Sequence, residues 1–169
     1  MTARPGPDAL APFYRRYVAL VPDDLTGALR ERPLVHVLRG LPAEAGGHRY
    51  APGKWSTAEV AAHVVDTERI FAARALRLAR GDRQPLTGFD QDAYAAALPA
   101  RPLDALADEL GRLRDSTLDL LGSLPNAALD HVGTVSGGPM SARAAFWIIA
   151  GHERHHVAVL EERYLAGEG

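Results

Sequence analysis

The chain has 169 residues, 47% of them hydrophobic, which is enough to bury one good core and too few to call for two domains. Its 19 Lys and Arg against 21 Asp and Glu give a net charge of -2 at pH 7, with neither sign gathered into a run, and this argues against nucleic acid and anionic membrane surfaces as partners. Cysteine is absent, which excludes disulfides, thiolate ligands and a cysteine nucleophile, so a metal would have to be held by His, Asp or Glu.

Residues 1–10 carry Pro5 and Pro7 but no apolar signal core, and are expected to be flexible. No later stretch approaches the roughly 20 apolar residues of a membrane span. The expectation is a cytoplasmic protein forming one domain over residues 1–169.

Over residues 11–41 the pattern is helical but interrupted. Phe13, Tyr14, Tyr17 and Val18 share a face, while Pro22, Pro33 and Pro42 each break what precedes them, which predicts short helical pieces in place of one rod. Residues 43–54, rich in Gly and Ala and containing Pro52, read as a loop. At its end Ser56 can cap a helix while Glu59 reaches back to the Ser56 amide, and Trp55 can staple onto Val60. That helix is expected to run to Arg80 and stop at Gly81.

A proline-containing stretch with an Ala-rich piece at 90–98 then leads to Pro102, suited to the first turn of another helix. Leu103, Leu106, Leu110, Leu113, Thr117 and Leu120 form its expected buried stripe. Residues 133–139 read as a Gly-rich loop, after which Ser141 can cap a last helix running through Phe146, Trp147, Ile148 and Ile149 toward Leu165. No strand-period run competes with these helices, so the predicted class is all-α: a four-helix bundle with a broken N-terminal helical region. In such bundles metal and ligand sites are built from inward side chains of facing helices.

The last helix contains Gly151-His152-Glu153-Arg154-His155-His156. His152 and His156, four residues apart, rise from one face with Cβ atoms about 5–6 Å apart, close enough to share one metal. The spacing alone does not separate ligands from surface or core histidines. His63 lies about two turns into the capped helix, with Thr67 and Ile70 on its face. Buried without a partner it would cost about 1–3 kcal/mol, a penalty that either a metal or a hydrogen bond in the core would remove. Asp66, three residues on, is placed to orient a ligand, to accept a proton from a nucleophile or to serve as a fourth ligand; an ion pair with Arg69 or Arg74 accounts for it equally well. His155 is turned about 100° from His156, toward the edge of the face or solvent, and Glu153 lies at the other edge. His36, His48 and His131 have no spacing that ties them to a ligand set.

Two stretches, Trp55-Ser56 through His63-Val64-Val65-Asp66-Thr67-Glu68 and Gly151-His152-Glu153-Arg154-His155-His156, resemble the DinB/YfiT-like superfamily of metalloenzymes, over about residues 14–164. Arg74, Arg77 and Gly88-Phe89-Asp90-Gln91-Asp92 are similar to the branch known as the DinB-like domain. The resemblance implies a four-helix bundle and a divalent metal on three histidines, one from the second principal helix and two from the last, matching His63, His152 and His156.

Three imidazoles leave such a metal with open positions, as in catalytic zinc sites; zinc is the first choice and nickel the alternative. Relatives that use low-molecular-weight thiols such as bacillithiol or mycothiol imply transfer of a thiol to a small electrophile, with Asp66 as proton acceptor. Hydrolysis of a small amide or ester at the same site is the second enzymatic expectation, and a non-catalytic metal- or ligand-binding stress-response module is the alternative from another class. Phe13, Tyr14, Tyr17 and Tyr164 are placed either to form a homodimer surface or to close the bundle's own core.

Overall fold

The computed structural model describes residues 3–165 apart from Leu98; that residue ends the Ala-rich piece expected at 90–98, and it, Met1, Thr2 and residues 166–169 lie outside the described residues. Three long helices dominate: α4 (Thr57–Ala79), α6 (Leu103–Ser123) and α8 (Ala142–Arg163). The fourth side of the bundle is assembled from the short helices α1 (Arg15–Val18), α2 (Leu25–Glu31) and α3 (Pro33–Gly40). Helix α4 packs on both α8 and α6, and α3 closes the ring against α6 and α8. Shorter helices α5 (Gln91–Ala97) and α7 (Asn126–Leu129) fill the connections. Among the described residues no helix is long and apolar enough to cross a membrane.

The helix boundaries follow from local chemistry. Ser56 Oγ accepts from the Glu59 amide at 3.2 Å while the Ser56 amide donates to Glu59 Oε2 at 2.6 Å, so both halves of the capping box form. Gly81, with φ of +77°, ends α4 in the left-handed region that only glycine enters without strain. Pro33 stands at the start of α3, and Arg32, at φ of +48°, makes the break from α2. Pro102 sits one step outside α6, which begins at Leu103, and Ser141 caps α8 by accepting from the Ala144 amide.

One expectation is corrected. Residues 133–139 are no loop but part of a β-hairpin, β1 (Val132–Val135) paired antiparallel with β2 (Gly138–Ser141). Ser136 and Gly137 both have positive φ, +51° and +81°, the pattern of a two-residue turn whose twist suits a hairpin. Strands of four residues are too short to display a period, and the glycines at 133, 137 and 138, one in the turn and two in the strands, read as loop composition. The hairpin gathers other segments around itself: Leu10 bridges to Met140, and Leu86, in the loop after α4, bridges to Val135. The segment before Leu10 is also tied down, with Arg4 donating to the carbonyls of Val18 and Val21 and Ala3 accepting from Trp147 Nε1.

The interior is layered along the bundle. One apolar cluster joins the start of α8 to the end of α4 and includes Phe71, Phe146 and Trp147. The other joins the start of α4 and α6 to the end of α8 and includes Val64, Leu106 and Leu160. Between them, on all three long helices, lies a belt of buried polar residues: His63, Thr67 and Glu68 on α4, Arg114 and Thr117 on α6, His152 and Glu153 on α8.

A candidate three-histidine metal centre

The belt has two sides. On one, α4 contributes His63 while α8 contributes His152 and, one turn later, His156; the packing of α4 against α8 brings the three rings together. Their ligating nitrogens all lie within 4.8 Å of one another. Nε2 of His152 is 3.1 Å from Nε2 of His63 and 3.1 Å from Nε2 of His156. Two nitrogens bound to one tetrahedral metal at about 2.0–2.1 Å stand roughly 3.3 Å apart, so this convergence fits a metal ligand set.

The alternative, a hydrogen-bonded core cluster, fits less well. Each ring nitrogen has one in-plane position, filled by a proton or by a lone pair, and Nε2 of His152 cannot serve two neighbouring nitrogens through it. A single ion accepting a lone pair from each ring satisfies all three at once. Burial drives the rings into the neutral form that such binding needs: His63 is lowered from 6.5 to about 4, and His156 to about 3, with the His63 and His155 rings adding to the effect of burial on His156. Burial, reinforced by the other two rings, lowers His152 well below 6.5. Nδ1 of His156 is buried without a hydrogen-bond partner.

The rings are fixed by aromatic packing. Trp55 lies against His63 with centroids 4.9 Å apart, and Tyr17 meets the edge of His152 at 5.3 Å. Tyr17 can come so close because α8 has Gly151 where α1 crosses; a Cβ there would stand 2.0 Å from the Tyr17 carbonyl oxygen. The three histidines line a cavity of about 550 Å³. Phe71 and Ile148 supply apolar walls, and the loop after α4 contributes Gly88 and Phe89. Among the described residues no Asp or Glu lines it, whereas Arg16 and Arg74 do.

Of the residues singled out in the sequence, His63, His152 and His156 are therefore brought together. Asp66 is set beside them without joining the cavity wall. Its carboxylate is 3.6 Å from Arg69, and burial raises its proton affinity while Arg69 partly offsets the rise. Thr67, four residues from His63 and expected on its face, lines the wall; its hydroxyl is buried with no partner. His155 is half-buried and lines the cavity with its ring 5.5 Å from Tyr17. His36 and His48 are exposed, and Nδ1 of His131 lies 3.2 Å from the Ala79 carbonyl, away from the site. Tyr17 and Tyr164 are buried in the bundle, while Phe13 remains 59% exposed.

Sequence reasoning missed the other side of the belt. Arg114, fully buried, donates to both carboxylate oxygens of Glu68 at 2.9 and 2.8 Å, to Glu153 Oε2 at 2.8 Å and to the Leu29 carbonyl at 2.8 Å. Thr117 Oγ1 donates to Glu68, and the Leu34 amide donates to Glu153 Oε1. Glu153, expected at the edge of its face, is thus a central buried group; burial raises its proton affinity and Arg114 counteracts the rise. The signal was the stripe itself: from Leu110, steps of four, three and four residues run through Arg114, Thr117 and Leu121, whereas Leu113 and Leu120 are only half-buried.

Fold and site together define a helical bundle with a three-histidine cluster that could hold a metal, one histidine from an early long helix and an H-x-x-x-H pair from the last. The chain belongs to the DinB superfamily, whose family model matches residues 28–160. Among solved structures it is similar to YfiT from Bacillus subtilis, described as a probable metal-dependent hydrolase with an unusual four-helix bundle topology. That likeness has a TM-score of 0.73 at 14% identity over 97% of this chain and 93% of the other. No curated protein sequence matches significantly.

Proposed function

We propose that this protein is a metal-dependent enzyme that transfers a low-molecular-weight thiol to a small electrophile, with His63, His152 and His156 as the metal ligands. The observation that carries the reading is the convergence of three neutral imidazole nitrogens on the wall of a cavity large enough for a small molecule. A bound divalent ion, zinc first and nickel as the alternative, would polarise the group at its open position and lower that group's proton affinity.

The chain's own residues supply the rest. Trp55, Tyr17 and Phe71 keep bulk water from the rings and present apolar surface to a ligand. In the transfer a sulfur–carbon bond forms as the carbon–leaving-group bond breaks, and the thiol proton must depart. With Asp66 paired to Arg69 outside the wall, we assign the proton to His155, the titratable imidazole of the wall outside the ligand set. A thiol, at a pKa of about 8.5, needs far less help to ionise than water, which suits a cavity without a lining carboxylate. Arg16, also on the wall, favours an anionic nucleophile over a neutral one.

The second reading, hydrolysis of a small amide or ester with water in place of the thiol, is favoured by the description of YfiT. The test is turnover by the zinc- or nickel-loaded protein of monochlorobimane with a panel of small thiols, bacillithiol and mycothiol included, and of p-nitrophenyl acetate without thiol. Thiol-dependent consumption of the first, abolished in His152→Ala, supports transfer. Thiol-independent hydrolysis supports the second reading, and a metal-loaded protein inert in both points to a binding or stress-response module.

A further inference from the structure

The cavity has a second polar end that the proposed chemistry does not use. Along one face of α4, His63, Thr67, Phe71 and Arg74 follow at steps of four, four and three residues, so the wall runs from imidazole to hydroxyl to ring to guanidinium. At about 1.5 Å per residue, the Cα atoms of His63 and Arg74 are about 16 Å apart along the helix axis.

Arg74 is only 5% exposed. It donates to the Thr87 carbonyl at 2.8 Å, reaches Ser136 Oγ at 3.5 Å, and lies over Phe71 with Cζ 4.8 Å from the ring centroid. The two other buried guanidiniums both have carboxylates: Arg114 pairs with Glu68 and Glu153, and Arg143 with Asp130. Arg74 pairs with none among the described residues, and no acidic side chain lines the cavity it faces. Burial lowers its proton affinity, which the neighbouring Tyr14 phenol partly restores, yet a guanidinium stays charged near neutrality. A buried charge without a counter-ion is costly, and the cavity is the side from which one can arrive.

We propose that Arg74 is an anion-binding subsite, and that the cavity takes an elongated molecule with a carboxylate or phosphate at the end remote from the three histidines. This names the substrate class of the site described above and rests on that reading only for the position of the reacting end. A planar guanidinium held by Thr87 on one edge can offer its remaining N–H groups to two oxygens at once, while Phe71 and Ile148 contact the apolar middle of the molecule.

Octanoate, octyl phosphate and octanamide share one chain and differ in their heads. Each is titrated by calorimetry into the protein as purified, into Arg74→Gln and into Arg74→Lys, with metal content recorded on the same samples. The subsite predicts that at least one anion binds roughly tenfold or more tighter than the amide to the parent, that Arg74→Gln removes most of that preference, and that Arg74→Lys keeps part of it. Which anion gains more tells carboxylate from phosphate. Equal binding of amide and anions, no binding of either anion, or a preference undiminished in Arg74→Gln overturns the proposal. If Arg74→Gln does not fold, the nitrogen-labelled arginine side-chain spectrum of the parent decides, with its Arg74 signal assigned through Arg74→Lys. That signal must move with an anion and not with octanamide, and an unmoved signal is equally fatal. A sample without metal would sink the metal-enzyme reading and leave this comparison readable.

Discussion

The two sides of the polar belt are built from the same kinds of residue and end in opposite states. Around Arg114 each side-chain nitrogen and oxygen finds a partner: Glu68, Glu153, Thr117 and the backbone of α2 and α3 close the network. Around His63 they do not, since Thr67 Oγ1 and His156 Nδ1 lack partners and Nε2 of His152 has one in-plane position for the two nitrogens that face it. Each side borrows from adjacent positions on the same helices, Thr67 next to Glu68 on α4 and His152 next to Glu153 on α8. A closed network holds α2, α3, α4, α6 and α8 in one arrangement; that arrangement holds the three histidines of the open side together. The unsatisfied side is the one left for something from outside the chain.

The most damaging way to break this contrast is Arg114→Met. It leaves two buried carboxylates facing each other without their cation, and removing one partner of such a cluster costs about 3–5 kcal/mol. Urea unfolding should show that loss; a loss under about 1 kcal/mol would mean that the network is not what organises the bundle.

Acid should act on the open side. In metal-free protein His63 and His156 have values of about 4 and about 3, below the 6.5 of an unfolded chain. Above 6.5 neither state takes up protons and the rings contribute no pH dependence. Below it the unfolded chain binds protons that the folded protein refuses, so stability falls as pH drops toward 4. At pH 5 the loss is about 2 kcal/mol for each imidazole. Unfolding of chelator-treated protein at pH 7 and 5 reads it, and His63→Asn should remove the share of one ring. An unchanged slope in that variant would show that His63 is not buried neutral.

The sharpest comparison is a matched pair. Thr67 and Thr117 are 3% and 1% exposed, on facing helices of the same belt. Thr117→Val removes a hydrogen bond to a charged carboxylate and should cost about 1.5–3 kcal/mol. Thr67→Val removes a buried hydroxyl that has no partner, so it should cost no stability and raise it by up to about 1–3 kcal/mol, while altering metal or ligand affinity. Equal losses would erase the distinction between the two sides.

How far the sequence alone leads also divides along the belt. The capping box at Ser56, the glycine stop at position 81 and the H-x-x-x-H pair are local signals, so α4, α8 and the shared face of His152 and His156 follow from neighbours in the chain, while a ligand role for that pair does not. That His63 meets His152 and His156 came from the family resemblance, because the meeting depends on how α4 packs against α8. The closed network was invisible for a related reason: an arginine and two glutamates among many charges announce nothing until three helices bring them together. Asp66 and Thr67 flank the face of His63 at turns of about 60° and 40°, and only the position of the cavity decides between them.

The central claim is that the open side of the belt is a metal site. Its most direct test is the metal content of untagged protein by mass spectrometry, for the parent and for His63→Ala, His152→Ala, His156→Ala and Asp66→Ala, each checked for helicity by circular dichroism. The prediction is close to one equivalent of zinc or nickel in the parent and in Asp66→Ala, and a sharp loss in each of the three folded histidine variants. A folded parent that holds no metal even after reconstitution, or folded histidine variants that keep theirs, would contradict it.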